Sequence, residues 1–404
     1  MKYSFQIRRG LLASLCAAGL LGPALAQAPA DKIRIGFMTD IGSVFASVDG
    51  PGGVDAVRMA LEDFGPVLGK QVEVLVFDHQ NKPDLAAVKA REWFDRQGVQ
   101  ALFFGSNSAA ALASTKLANE KKRILFAVGA GSPRLTNEDC TAYTVQYAYN
   151  TDSLVNTGVA AALKQGMDSW YILAADYAFG HAIEAQVKKQ VAAGNGKVVG
   201  SVRHAVNTAD FSSFMIQAQA AKPKILALAN AGGDAVNAIK AAREFGLTRN
   251  TALLGFGMTH DVIHGLGLPV TQGLRVIDHW DWTVSEQSRK WGQRFIQRNK
   301  VAPTSVQAAD YSAVTSYLTA VKNANTTDAD AVMAALRKLR INDMYAQGGV
   351  IREDGQMVHP IYMFEVKTPA EQKEPFDYYK TISAIPGDVA FAPLKDSACP
   401  LVKK

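Results

Sequence analysis

The most constraining feature of this sequence is a regular alternation of short apolar runs with longer amphipathic stretches. The apolar runs are five to eight residues long, which predicts buried strands. The intervening stretches, such as "GVDAVRMALEDFG" and "DLAAVKAREWFDRQ", place apolar residues on one face of a helix. Continuous apolar strands separated by helices are typical of parallel sheets covered on both faces. The apolar runs span 32–38, 71–78, 101–105, 123–128, 170–176, 197–202, 225–230 and 251–257.

The alternation starts twice along the chain. Four strand–helix units precede Cys140, and four more begin at Trp170. The 404 residues are enough for two ordinary domains. We therefore predict an α/β fold with two doubly wound, Rossmann-like lobes built on parallel sheets.

The first 26 residues have the pattern of a secretory signal peptide. Lys2, Arg8 and Arg9 give a positive start, the apolar run "LLASLCAAGLLG" follows, and Ala24-Leu25-Ala26 matches a cleavage site. We expect a mature, exported chain from about Gln27, with 40 basic and 37 acidic residues once the three basic residues of the signal are removed from 43. This near-neutral balance, without a basic run, argues against a nucleic-acid partner.

The mature chain would keep two cysteines, Cys140 and Cys399. In an oxidising compartment such a pair most simply forms one disulfide. That bond would fix the C-terminal tail to the middle of the chain. Two free buried thiols are the alternative.

Sequence motifs of catalysis are missing. The chain has no G-x-S-x-G nucleophile motif and no complete P-loop. The glycines of "MTDIGSVFASVDGPGGVD" (38–55) come too late after the strand for a dinucleotide fingerprint. His260 and His264 are four residues apart, as metal ligands on a helix would be, but no nearby Glu or Cys completes a set. We therefore expect a protein that is not an enzyme and has no cofactor or metal.

Several segments, taken in order, resemble one known family over essentially the whole mature chain. They include "IRIGFMTDIGSVFASVDGPGGVDAVRMALEDFG", "FDHQNKPDLAAVKAREWFDRQGVQALFFGSNSAAALA", "ILAADYAFGHAIEAQVKK" and "IREDGQMVHPIYMF". The chain resembles the type I periplasmic binding proteins of ABC importers, the leucine/isoleucine/valine-binding group. The resemblance implies two lobes joined by three crossovers, with a ligand trapped between them by hinge closure.

The resemblance also implies the lobe boundaries and the partners. The first lobe would comprise 27–147 and 279–360, and the second 148–278 and 361–404, which includes the C-terminal tail. The partners would be a small-molecule ligand and the permease subunits of an ABC transporter, and a monomer is the ordinary expectation for such a receptor. A ligand sensor without transport shares the same fold.

Two polar loops follow predicted strands of the first lobe, at the edge of the sheet where ligands bind in open α/β folds. In the family these loops hold the ligand carboxylate. By position, the donors are Asn107, Ser108 or Ala109 in "GSNSAA", and Ala130, Gly131 and Ser132 in "GAGSPRL". Backbone N–H groups at a helix start are suited to an anion. The first loop is also compatible with an ordinary helix cap, and both roles can coexist.

Aromatic residues occupy further positions that match the cleft of the family. Phe45 matches the cleft-facing residue of the opening loop, whose glycines we expect to turn the backbone into the following helix. Phe179, with Asp176 and Tyr177, lies at the predicted mouth of the second lobe. Tyr149 and Trp280 lie near predicted crossovers, where a ligand contact and a packing role are both open.

One departure from the family bears on the ligand. Amino-acid binders carry a Glu for the ligand's ammonium where this chain has Gly257, and a Tyr near the position of Asn230. A buried charge without a partner is costly. We therefore expect a carboxylate without an α-ammonium, favouring an aromatic or hydrophobic acid; Asp176 or Asp234 could compensate, which would leave a branched-chain amino acid or an amide as the alternative.

Overall fold

The computed structural model describes residues 32–43 and 45–403. The predicted signal peptide lies outside these residues. In the part of the chain that the structure describes, no helix has the length and apolar content needed to cross a bilayer.

The strands and helices alternate along most of the chain. The strands are β1 (Ile33–Thr39), β2 (Val72–Asp78), β3 (Val99–Phe104), β4 (Ile124–Ala127), β5 (Thr144–Gln146), β6 (Ser169–Ala175), β7 (Lys197–His204), β8 (Ile225–Ala229), β9 (Ala252–Phe256), β10 (Arg275–Asp278), β11 (Ile341–Asn342), β12 (Gln347–Ile351), β13 (Met357–Val358), β14 (Ile361–Val366) and β15 (Tyr379–Ile385). The helices are α1 (Gly50–Phe64), α2 (Pro83–Arg96), α3 (Ser108–Glu120), α4 (Thr151–Lys164), α5 (Ala178–Ala193), α6 (Ser212–Ala221), α7 (Gly232–Glu244), α8 (His260–Leu266), α9 (Leu268–Thr271), α10 (Glu286–Asn299), α11 (Ser305–Ala324), α12 (Ala329–Lys338) and α13 (Gly387–Ala390).

Two large sheets organise the molecule, as the alternation predicts. The first has the order β2-β1-β3-β4-β5 and is parallel throughout. The second has the order β15-β14-β10-β9-β8-β6-β7, in which β14 and β15 are antiparallel and the other five strands are parallel. We call the halves built on these sheets the first and second lobes. The predicted fold class, two doubly wound lobes with parallel sheets, is confirmed.

Burial explains why the strands are continuously apolar. All five residues of β8 are buried, because helices cover both faces of the sheet. In the first lobe, Phe103 and Phe126 stack with ring centroids 4.7 Å apart, and Tyr317 of α11 packs edge-on against both. This packing fixes α11 against the sheet, although α11 follows the second lobe's β10 in the chain.

The chain passes between the lobes in three connections. They are residues 147–150 between β5 and α4, residues 279–285 between β10 and α10, and residues 359–360 between β13 and β14. All three leave the ends of sheet strands, so the strand ends and the connections together surround the space between the lobes.

The C-terminal tail returns to the first lobe after β15. Cys399 forms a disulfide with Cys140, and the two Cα atoms are 5.6 Å apart. Ser397 Oγ donates a hydrogen bond to the Thr136 carbonyl nearby, at 3.0 Å. The predicted disulfide is confirmed; it closes a loop of 259 residues, for which chain entropy gives about 5 kcal/mol of stabilisation.

Candidate functional site

A cavity of about 40 Å³ lies between the two lobes. Its walls are the segments that follow the carboxyl ends of β1, β3, β4 and β5 in the first lobe and of β6, β8, β9 and β10 in the second, together with one residue of α11. Ligands of open α/β sheets bind at such strand ends. Seven of the residues predicted from sequence line it: Phe45, Asn107, Ser108, Tyr149, Tyr177, Phe179 and Gly257.

The opening loop is organised by Asp40. Its carboxylate accepts hydrogen bonds from the backbone N–H of Ser43 (3.0 Å) and Phe45 (2.9 Å), and from Asn81 Nδ2 (2.6 Å). Burial opposes ionisation of Asp40, but a hydrogen bond from the Ser43 hydroxyl (2.6 Å), together with these three, holds its pKa below the ordinary value. The loop is thereby folded so that Phe45 is buried, with its ring centroid 5.9 Å from that of Tyr177 in the other lobe.

The glycines after this loop have two different roles. Gly50 has φ of +34°, as expected for a residue that turns the chain into α1. Gly52 and Gly53 lie inside the helix, where the lack of a side chain lets neighbouring side chains approach the helix backbone closely. A Cβ at Gly53 would lie 2.0 Å from Asp49 Oδ1, and one at Gly52 would lie 2.3 Å from Gln307 Nε2. The expectation that all the glycines serve the turn was therefore wrong for these two.

Below this wall, two buried carboxyl groups face each other. Asp49 and Asp310 interact side chain to side chain, and burial raises the pKa of Asp49 to about 6 and that of Asp310 well above its ordinary value. Thr39 Oγ1 donates to Asp49 and lies 3.3 Å from Ser106 Oγ, which belongs to the cavity wall. A pair of this kind holds a proton between its members at pH values where isolated carboxyls are ionised.

The start of α3 forms the polar end of the cavity. Asn107 has φ of +71° and caps the helix, because its side-chain oxygen accepts from the Ala110 N–H at 3.0 Å. Ser108 Oγ accepts from the Ser132 N–H at 3.2 Å. Asn107 is thus both a cap and a wall residue, whereas the Ala109 side chain is exposed and outside the lining.

The second polar loop contributes a different residue from those predicted. Ala130, Gly131 and Ser132 lie outside the lining, and their carbonyls are occupied: Gln146 Nε2 donates to those of Ala130 (2.8 Å) and Ser132 (2.9 Å). The Thr151 N–H donates to the Gly131 carbonyl at 2.9 Å. Gly129, one residue earlier, lines the cavity in their place.

Two of the predicted second-lobe residues also lie elsewhere. Asp176 is exposed and lies 2.5 Å from His181 Nε2. Asn230 is buried, with Nδ2 3.2 Å from His204 Nε2, and the adjacent Ala231 lines the cavity instead.

Gly257, which the resemblance matches to the acidic residue of amino-acid binders, lies in the wall. Gly257 has φ of +65°, and a Cβ there would lie 3.3 Å from Leu154 Cδ1. Asp234, considered as a substitute, accepts from the Asn207 N–H at 3.1 Å and is not in the lining. Among the described residues that line the cavity, none is Asp, Glu, Lys or Arg.

The connections between the lobes supply the hinge side of the cavity. Tyr149 stacks on His279 with ring centroids 4.9 Å apart and an angle of 11° between the planes. Trp280 is not in the lining: it is buried, donates from Nε1 to the Met344 carbonyl at 2.9 Å, and packs against Trp291. For Trp280 the packing role, left open from sequence, is the one observed.

Seven wall residues were missed from sequence: Val48, Ser106, Gly129, Ala231, Thr259, His279 and Val306. Six of them lie within three residues of a predicted site residue, so a wider window around each loop would have included them. Val306 has no such signal, because it comes from α11 and reaches the cavity through tertiary packing.

The two histidines with metal-ligand spacing have other partners. His260 Nε2 lies 2.5 Å from Asp281 Oδ2, and His264 Nδ1 lies 2.7 Å from the Tyr378 hydroxyl. Burial lowers the pKa of His260, but Asp281 outweighs it and raises that pKa above the ordinary value.

Comparison with known proteins identifies relatives over almost the whole chain. The periplasmic binding protein family matches residues 32–373. A periplasmic binding protein from Burkholderia mallei is 51% identical, with a TM-score of 0.89 over 93% of this chain and 100% of that one. A branched-chain amino acid ABC transporter periplasmic ligand-binding protein from Burkholderia xenovorans LB400 is 35% identical, with a TM-score of 0.84 over 92% of this chain and 100% of that one.

A more distant relative has been solved with a ligand. A solute-binding protein of an ABC transporter from Rhodopseudomonas palustris BisB5, in complex with 3,4-dihydroxybenzoic acid, is 21% identical, with a TM-score of 0.81 over 88% of this chain and 98% of that one. At this identity the likeness shows the fold alone. No curated protein matches the chain.

Proposed function

Because the chain belongs to the periplasmic binding protein family, we propose that it is the receptor of an ABC importer for a small aromatic or hydrophobic carboxylate. The proposed route to the periplasm is export by the N-terminal signal peptide with its subsequent removal. The proposed partners are the ligand and the permease subunits, and the proposed state is a monomer.

The observation that carries the proposal is the lack of an acidic residue among the described residues of the wall. An α-amino acid would bring an ammonium group against a wall whose described residues include no Asp or Glu. Leaving a buried charge unpaired typically costs about 3–5 kcal/mol. A carboxylic acid without an amino group avoids that cost.

The start of α3 supports the carboxylate. Its first backbone N–H groups have no partner within the helix, and the helix dipole adds positive potential there. The hydroxyl groups of Ser106 and Ser108 lie in the same wall. Together they provide neutral donors for an anion in a wall whose described residues include no Lys or Arg.

The remaining walls support an aromatic or hydrophobic body. Phe45, Tyr149, Tyr177 and Phe179 present rings to the cavity, and aromatic rings favour stacked or edge-on contact with one another. The Rhodopseudomonas relative, which holds 3,4-dihydroxybenzoic acid, is consistent with a ligand of this class.

Lobe closure would be the mechanism. The cavity of about 40 Å³ is far smaller than the 300–1,000 Å³ of ordinary ligand pockets, so the lobes must separate for a ligand to enter. A ligand that contacts both walls only in the closed state shifts the equilibrium toward closure. The closed form would then dock on the permease.

A branched-chain amino acid receptor is the second candidate, favoured by the description of the Burkholderia xenovorans relative. It would require another group to replace the missing acid. A sensor that presents ligand without transport would use the same cavity.

A thermal-shift screen of the refolded mature protein tests the proposal. Refolding removes ligand carried through purification, and the panel contains benzoate, 4-hydroxybenzoate, leucine, valine and their amides. A ligand at a hundred times its dissociation constant adds about 2.7 kcal/mol, which raises Tm by several degrees or less for a chain of this size. Shifts with the aromatic acids alone support the proposal, and shifts with leucine or valine alone contradict it.

A further inference from the structure

His279 is a wall residue with a role that the proposed function does not use. It is the first residue after β10, is 1% exposed, and lies on the second of the three connections between the lobes. Its ring is held from two directions. Tyr149 stacks on its face, and the Tyr345 hydroxyl lies 2.7 Å from its Nδ1. Turning the ring would therefore break the contact between Nδ1 and the Tyr345 hydroxyl.

Tyr345 in turn joins the other two connections. Its hydroxyl lies 3.3 Å from the Ala148 carbonyl, which belongs to the first connection. His359, on the third connection, has Nε2 2.5 Å from the same carbonyl. Since a carbonyl only accepts, His359 donates from Nε2. One buried network thus links all three connections and holds His279.

The ring of His279 is neutral. Burial, together with nearby His359, lowers the pKa of His279 well below the ordinary value. One ring nitrogen therefore carries a proton and the other a lone pair. Because Nδ1 is engaged by Tyr345, the nitrogen left for a further partner is Nε2.

Nε2 has no hydrogen bond within the part of the chain that the structure describes. The Asp278 carboxyl oxygen Oδ1 lies 3.5 Å from Nε2, which is longer than an ordinary N–H···O bond. That oxygen already accepts from the His279 N–H at 2.7 Å. Nε2 therefore has an unused donor or acceptor, according to which nitrogen carries the proton, and a hydroxyl group satisfies either.

We propose that His279 Nε2 binds a hydroxyl group on the ring of the ligand, and that Tyr345 is the residue that positions it. This inference rests on the proposed function, in which the carboxylate of an aromatic acid binds at the start of α3. His279 would bind the second polar group of the same ligand. The receptor would then prefer a hydroxybenzoate to benzoate. A ligand without the hydroxyl leaves Nε2 unpaired in the closed cavity, which is unfavourable.

Calorimetric titration of benzoate, 3-hydroxybenzoate and 4-hydroxybenzoate tests the proposal. The wild type should bind at least one hydroxybenzoate about tenfold more tightly than benzoate. In His279→Asn, the shorter amide can still reach Tyr345 but has no group at the place of Nε2. The preference should fall to about twofold or less.

A second variant keeps the test valid if His279→Asn fails to fold. Tyr345→Phe removes only the hydroxyl that positions His279, and the hydroxybenzoate preference should again fall. Tyr317→Phe is the matched control: Tyr317 is buried in the first lobe, and its hydroxyl has no hydrogen-bond partner in the described part of the chain. It should keep the full preference.

The outcomes separate this inference from the proposed function. If the wild type binds benzoate and both hydroxybenzoates equally, or if His279→Asn and Tyr345→Phe retain the preference, the role of His279 is refuted and the aromatic-acid receptor stands. If the wild type binds no aromatic acid, the proposed function fails and this inference fails with it.

Discussion

The two walls of the cavity differ in chemistry. The first-lobe wall presents, beside the ring of Phe45, the hydroxyl and amide groups of Ser106, Asn107 and Ser108 at a helix start. The second-lobe wall presents Tyr177, Phe179 and Gly257. The first is suited to the charged end of a ligand, which is common to many solutes. The second wall contacts the rest of the ligand and would select among solutes by the groups they carry there. Under the proposed function, affinity for a carboxylate and choice among carboxylates would be divided between the lobes.

The largest effect should come from placing a negative charge in the first wall. Ser108→Asp would set a second carboxylate beside that of the ligand, and like charges in a closed cavity repel strongly. We expect the affinity for 4-hydroxybenzoate to fall about a hundredfold or more by calorimetry. Ala113→Asp, on the exposed side of the same helix, should bind like the wild type. An unchanged affinity of Ser108→Asp would show that the carboxylate lies elsewhere.

The Asp49–Asp310 pair lies behind the first wall, and the stability of the protein should depend on pH because of it. Because the folded-state pKa of Asp49 is about 6 and that of Asp310 is also raised, the pair favours folding below about pH 4, and this contribution is lost as pH rises through 6. Asp310→Asn removes one of the two carboxyls. It should raise the free energy of unfolding at pH 8 by about 2 kcal/mol and weaken its pH dependence.

Urea unfolding at pH 5 and pH 8 measures this effect. The exposed Asp388→Asn is the control and should follow the wild type at both pH values. If Asp310→Asn is less stable than the wild type at pH 8, ionisation of the carboxyl pair does not destabilise the fold as we expect.

The second wall can be tested by restoring the missing acid. Gly257→Asp would add a carboxylate at a position whose φ of +65° Asp tolerates better than most residues. We expect affinity for aromatic acids to fall about tenfold, or about 1.4 kcal/mol, with a gain for leucine. Gly257→Asn has the same shape without the charge, so it should lose less affinity and gain none for leucine. If Gly257→Asp and Gly257→Asn bind leucine and aromatic acids equally well, the charge at position 257 does not decide the choice of ligand.

The smallest effect should come from a single hydrogen bond between the two lobes. Ser47 Oγ, on the opening loop, donates to Asp261 Oδ2 of the second lobe at 2.7 Å. Ser47→Ala would remove one hydrogen bond of the closed state and leave the cavity wall intact. We expect an affinity loss of about threefold for every ligand, with the order of ligands unchanged. A change in that order would mean that Ser47 acts on the ligand and not on closure.

The fold was accessible from sequence because it depends on patterns that extend over many residues. The parallel sheets follow from apolar runs such as that of β8 and from the helices between them. For the site, the sequence predicted which loops line the cavity but not which residue of each loop faces it. The exact end of β4 at Ala127 decides whether Gly129 or Ala130 faces the cavity, and a single-residue difference at the second connection places His279 in the wall and Trp280 in the core.

Other parts of the site depend on tertiary packing that no local pattern reveals. Val306 and Asp310 belong to a helix that follows the second lobe in sequence but packs against the first. The crowding around Asp49 explains Gly53 and Gly105, since a Cβ at Gly105 would lie 1.7 Å from Asp49 Oδ2. From sequence alone, Gly53 was assigned to a turn.

The disulfide between Cys140 and Cys399 has a consequence for proteolysis. Every strand of the second sheet lies between these two cysteines in the chain. A single cut in any surface loop between them leaves two fragments that are still covalently joined. A nicked molecule would therefore migrate as one species on a non-reducing gel and as two after reduction, and both walls of the cavity would stay together after the first cleavage.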